Sequence, residues 1–107
     1  FAASASAEVG YTTWYGPGFH GNVMANGQIF DENDPTTTAS NQYPFGTWLR
    51  VTNPGNGRSV TVQVRDRGGF GHALDLSKAA FFALAINLLM VIAAIVSIVH
   101  TEPVSNT

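Results

Sequence analysis

The segment 48–65 constrains the fold more than any other part of the chain. Leu49 and Val51 alternate with Arg50 and Thr52, and Val60, Val62 and Val64 alternate with Thr61, Gln63 and Arg65. Successive side chains on a strand point to opposite faces, so each run has one apolar and one polar face. Between the runs lies Asn53-Pro54-Gly55-Asn56-Gly57, where proline presets its own φ and Asn-Gly accommodates a reversal. The pattern predicts a hairpin with one face turned into a core.

Other segments read in the same way. Val9 to Trp14 is rich in aromatic and β-branched residues and stops at Gly16-Pro17-Gly18, as a first strand does. Residues 19–47 hold short pieces divided by Asn-Gly, Asp-Pro and Pro-Phe-Gly turns. Ser77 is placed to cap a short helix from Lys78 to about Ala85, because its hydroxyl accepts a free first-turn N–H. Asn87 is expected to break that helix.

From Ala79 to Val99 the chain carries no charge, which meets the length criterion for a membrane span. Its second part, Val91–Val99, is dominated by β-branched residues, which favour a strand. The expectation is therefore a helix plus a closing strand, not a membrane anchor. That strand is apolar on both faces, so another segment, a lipid or a second copy must cover it. A homo-oligomer through Val91–Val99 follows as an expectation.

Composition excludes several classes. The chain has 107 residues, room for one domain with one modest core. A net charge of −2 argues against nucleic acid, since nothing could neutralise a run of phosphates. There is no cysteine, which removes disulfides and thiolate metal sites. Three histidines without clustered spacing give no metal site, and no cofactor is expected. Residues 1–8 read as an arm or the remnant of an export signal, since Ala5-Ser6-Ala7 has the small-x-small form that precedes cleavage. The domain is expected over 9–101, with a tail at 102–107.

Two carboxylates stand out after the hairpin, in Asp66-Arg67-Gly68-Gly69-Phe70 and Ala73-Leu74-Asp75-Leu76-Ser77. Asp66 ends a strand and reads either as a site acid or as a residue holding its loop. The flanking Arg65 and Arg67 would, if close, oppose its protonation. Asp75, just before the helix cap, is expected to bond free N–H groups at the helix start. In Thr13-Trp14-Tyr15 one ring belongs to the core by alternation, and Tyr15, beside Gly16, is the ring expected to be exposed.

These segments, with Gly10–Gly16, Phe19-His20-Gly21, Met24-Ala25-Asn26-Gly27 and Pro44-Phe45-Gly46-Thr47, resemble the barrel domain of rare lipoprotein A and, more distantly, that of expansins. The resemblance covers about residues 9–86. It implies an all-β domain with a short helix, a six-stranded double-psi β-barrel. It also implies that Asp66 matches the acid that protonates the glycosidic oxygen in a lytic transglycosylase. Asp75 and Thr13 match groove residues of the relatives, Tyr15 supplies a stacking face, and His72 resembles an expansin histidine. His20, Gln28, Ser40 and Arg67 complete the set expected to touch glycan. The family's glutamate is Gln28 here and its histidine is Ser40, so two titratable groups are replaced by groups that hydrogen-bond but do not move protons.

The expected function is an exported cell-wall or matrix-associated barrel that binds a peptidoglycan-like glycan, with catalysis weak or absent. One alternative is a self-assembling extracellular structural protein. Another is a lytic transglycosylase with Asp66 as general acid.

Overall fold

The computed structural model describes residues 8–68, 73–85 and 95–104. They form β1 (Glu8–Trp14), β2 (Thr37–Ala39), β3 (Trp48–Thr52), β4 (Ser59–Asp66), β5 (Leu74–Leu76), α1 (Lys78–Leu84) and β6 (Ile95–Pro103). The strands close into a barrel in the order β1-β5-β2-β4-β3-β6. Neighbours β1 and β5, and β2 and β4, run parallel; the other pairs are antiparallel.

The predicted hairpin is β3 and β4, with Leu49 opposite Val62 and Val51 opposite Val60. The apolar face of the alternation is the buried one: Leu49, Val51, Val62 and Val64 are fully covered. Leu74 and Leu76 join them from β5, and Ala80, Phe81 and Leu84 from α1. The helix thus closes one side of the barrel core. Burying side chains of this size stabilises by about 1.5–3 kcal/mol each.

Ser77 caps α1 as expected, its Oγ accepting from Ala80 N at 3.2 Å. The same hydroxyl donates to the carbonyl of Asp34 at 2.6 Å. The helix stops at Leu84, where Ala85 turns extended, so it ends before Asn87, which lies outside the described residues. The stop comes from the hairpin turn. Asn53 and Asn56 both donate to the carbonyl of Leu84, and Arg58 donates to that of Ala85. These donors satisfy carbonyls that a helix end leaves unpaired.

The last strand also differs from expectation. Its described part is Ile95–Pro103, which continues past the expected end at Val99; residues 91–94 of the expected strand lie outside the described residues. It pairs with β1 on one side and β3 on the other. In its described side chains, exposed His100, buried Thr101 and half-buried Glu102 alternate, with Glu102 paired to Arg50 at 3.2 Å. The two-sided apolar character thus does not extend through the end of the strand. Among the described residues, no helix is long and apolar enough to cross a membrane.

Candidate functional site

The strand register lines up the two carboxylates. Thr13 on β1 stands opposite Asp75 on β5, Asp75 stands opposite Ala39 on β2, and Ala39 stands opposite Asp66 on β4. The β2–β4 register shifts between Thr38 and Ala39, which sets Asp66 and not Arg65 opposite Ala39, so the row runs Thr13, Asp75, Ala39, Asp66 across four adjacent strands. Two strand spacings of about 4.8 Å separate the backbones of the carboxylates. The small side chain of Ala39 lies between them. A Cβ added to Gly68 would also come to 3.4 Å from that of Ala39.

β1 contributes to both carboxylates through alternate residues. Thr13 Oγ1 donates to Asp75 Oδ1 at 3.1 Å. Tyr15, the next residue but one, donates its hydroxyl to Asp66 Oδ2 at 2.8 Å. Trp14 between them points the other way, against Phe81 and Phe82 of the helix, and is the core ring that alternation required. The Tyr15 ring is half-buried, stacked on Phe30 at 4.1 Å and met edge-on by Phe19 at 5.8 Å. Burial pushes the Tyr15 phenol well above its ordinary range, and the bond to Asp66 and the charges of Asp66 and Asp75 push it further. It therefore remains a donor.

Asp66 accepts from two backbone groups besides Tyr15: the N–H of Ala25 and that of Arg67, both at 2.9 Å to Oδ1. Ala25 belongs to the turn Met24-Ala25-Asn26-Gly27, where Gly27 adopts φ 90° and Asn26 N is tied to the carbonyl of Arg65 at 3.2 Å. Sequence reasoning quoted this turn only as a likeness. Its chemical part, one N–H aimed at Asp66, is a main-chain contribution that no side-chain identity reveals.

The flanking arginines turn away from Asp66. Arg65 donates to Asp34, Thr36 and Thr37 and, through Nε, to Gln63. Arg67 donates to the carbonyls of Ser40 and Tyr43 and lies 4.0 Å above the Phe45 ring. Strand alternation and the carbonyls of the 40–43 loop explain why sequence neighbours of the carboxylate do not pair with it.

Asp75 differs from expectation too. It sits in the middle of β5 and bonds Thr13, while Ser77 supplies the helix cap. Half-buried, it is raised above the ordinary carboxylate range: burial is the largest cause, the Thr13 bond opposes it, and the charge of Asp66 adds to it.

The remaining candidates are dispersed. Ser40 is buried, its Oγ accepting from Gln42 N and Tyr43 N. Gln28 is exposed and accepts from Asn26 Nδ2 at 2.8 Å. It lines a polar cleft of about 230 Å³ with Met24, Ile29, Asp34, Thr37 and Arg65, to which neither carboxylate of the row contributes. His20 is exposed, its Nδ1 placed 3.1 Å from Glu32 N and 3.7 Å from Asp31 Oδ1. His72 lies outside the described residues. Among the described residues no group of three or more His, Asp or Glu could hold a metal.

A comparison with protein families matches residues 7–98 to the lytic transglycolase family. A probable endolytic peptidoglycan transglycosylase RlpA of Synechocystis is 49% identical over 80 residues, 73% of this chain and 25% of the relative. The endolytic peptidoglycan transglycosylase RlpA of Campylobacter jejuni is 48% identical over 73 residues, 66% of this chain and 26% of the relative. The chain thus spans about a quarter of the length of these relatives. Among solved structures, a Clavibacter michiganensis expansin superposes with TM-score 0.68 at 31% identity, over 94% of this chain and 52% of the expansin. A Streptomyces papain inhibitor superposes with TM-score 0.71 at 24% identity, over 95% and 97% of the two chains, a likeness of fold. The closed six-stranded barrel is therefore a double-psi barrel, and the chain belongs to the lytic transglycolase family.

Proposed function

We propose that this domain grips a cell-wall glycan along the row from Thr13 to Asp66, with little or no cleavage. The observation that carries the reading is the state of the two carboxylates. Asp66 meets three donors, from Tyr15, Ala25 and Arg67, which fix the direction of its carboxyl oxygens. Asp75 accepts from Thr13, and its burial raises it above the ordinary carboxylate range. A row of two fixed carboxyl groups and a threonine hydroxyl, beside a tyrosine ring, matches the mixed hydroxyl and C–H surface of a sugar chain.

The comparisons support the substrate class. The relatives are named for action on peptidoglycan, and a point mutant of the Clavibacter expansin crystallises in complex with cellohexaose. An envelope or extracellular location follows from such a substrate. Against cleavage stand Gln28, tied to Asn26, and Ser40, buried in its own turn. Neither transfers protons at neutral pH.

Co-sedimentation with purified peptidoglycan sacculi, followed by mass spectrometry of soluble products, tests the reading. Retention on sacculi without anhydro-sugar products is expected. Anhydro products that vanish in Asp66→Asn or Asp75→Asn would make the domain an enzyme. Failure to bind any insoluble glycan would remove the reading altogether.

A further inference from the structure

We infer that Arg67, stacked on Phe45 just beyond the Asp66 end of the row, selects glycans that carry carboxylates over neutral ones. The inference rests on the glycan-binding reading above and names the class of chain bound.

Three observations carry it. First, Arg67 is held in place before any ligand arrives: one terminal nitrogen donates to the carbonyls of Ser40 at 2.9 Å and Tyr43 at 2.6 Å, and its guanidinium lies 4.0 Å above the Phe45 ring. A guanidinium so fixed loses less side-chain freedom on binding, and its planar fork matches a carboxylate. Second, its charge is not neutralised. Among the described residues Arg50 pairs with Glu102 and Arg65 with Asp34, whereas Arg67 is in no ion pair. Its sequence neighbour Asp66 accepts the Arg67 backbone N–H instead. Third, the platform is accessible: Arg67 is exposed and Phe45 is 43% exposed.

The location makes this charge useful. The chain as a whole is negative, at −2, and the row holds two carboxyl groups, so the row itself offers an anionic polymer no attracting charge. A fixed cation just beyond one end of the row supplies that charge where a substituent leaves the sugar backbone. Peptidoglycan bears carboxylates on its lactyl and peptide substituents; cellulose bears none. Arg67 is thus a specificity-determining residue that favours the first kind of chain.

Calorimetric titration of the full chain with two probes separates the possibilities: cellohexaose, and the same oligosaccharide oxidised at C6 to carry carboxylates on an unchanged β-1,4 backbone. The oxidised probe is expected to bind about twofold to fivefold more tightly, the range for an accessible charge pair. That preference should shrink as salt rises, disappear in Arg67→Gln and survive in Arg58→Gln, whose arginine sits at the hairpin turn. Equal binding of the two probes by the wild type would overturn the inference and leave the glycan reading standing. A preference insensitive to salt, or one persisting in Arg67→Gln, would also overturn it. If neither probe nor sacculi bind, the glycan reading falls and the inference with it. Should Arg67→Gln lose its fold by circular dichroism, the salt series on the wild type decides.

Discussion

The hydroxyl of Tyr15 donates to Oδ2 of Asp66 at 2.8 Å across a sequence separation of 51 residues. In the strand order the two residues lie three positions apart, from β1 to β4. The bond joins the end of the first strand to the end of the hairpin, and the ring stacked on Phe30 holds the hydroxyl there. Replacing Tyr15 by Phe keeps the ring and removes the donor. The expected cost is about 1 kcal/mol of stability, read as a lower denaturation midpoint at unchanged slope. Retention on sacculi should weaken as well, because Asp66 loses one of the three donors that orient it. An unchanged midpoint would mean that water replaces the phenol without loss.

Thr13 opposes the other influences on Asp75. Burial raises this carboxyl, and the Thr13 hydroxyl lowers it. Thr13→Val should therefore move the Asp75 titration further upward, followed by carbon-detected NMR of its carboxyl. A downward movement would contradict the geometry.

The same shift has a consequence for stability. A carboxyl raised in the folded state favours folding at low pH, and that contribution is lost as pH rises through the folded value. Asp75→Asn should then stabilise the protein at neutral pH more than in acid. Thermal melts of both proteins at about pH 7 and about pH 3 check the sign, and a larger gain in acid would refute it.

Asp34 carries the opposite sign. Burial raises it, but the bonds from Thr36 and the neighbouring Arg65 together outweigh burial, and the group is lowered. Its contribution is present above the ordinary aspartate range and is lost as pH falls through the folded value. Asp34→Asn should reduce the difference in melting temperature between neutral and acid conditions. A wild-type-like difference would place acid sensitivity elsewhere.

Ser77 serves two partners, capping Ala80 N and donating to the carbonyl of Asp34. Ser77→Ala removes both at a fully buried position. A loss of about 1–2 kcal/mol is expected, measured by urea denaturation. Ser77→Thr should recover part of it if the pocket admits the extra methyl.

Much of the architecture was legible along the chain because its signals are local. The alternation in β3 and β4, the Asn-Gly turn and the serine cap each depend on residues a few positions apart, and each appears where the pattern placed it. The helix end, expected at about Ala85, falls at Leu84, but the donors that satisfy its last carbonyls, Asn53, Asn56 and Arg58 of a distant turn, were not legible. The far end of β6, at Pro103 and not Val99, was missed for a related reason. An uninterrupted apolar run has no internal mark of register, and pairing with β1 and β3 sets the bounds.

For the candidate site, the sequence by itself determined the ingredients: two aspartates, a threonine, a tyrosine and an arginine in recognisable segments. Tertiary structure alone decided their relations. Crossing strands bring Thr13 to Asp75 and Tyr15 to Asp66, set Ala39 between the two carboxyls, and turn Arg65 and Arg67 away from the aspartate that separates them. Side-chain direction follows strand parity and can be read locally. The partner a side chain meets follows strand order, which depends on closure of the barrel and leaves no mark in any single segment.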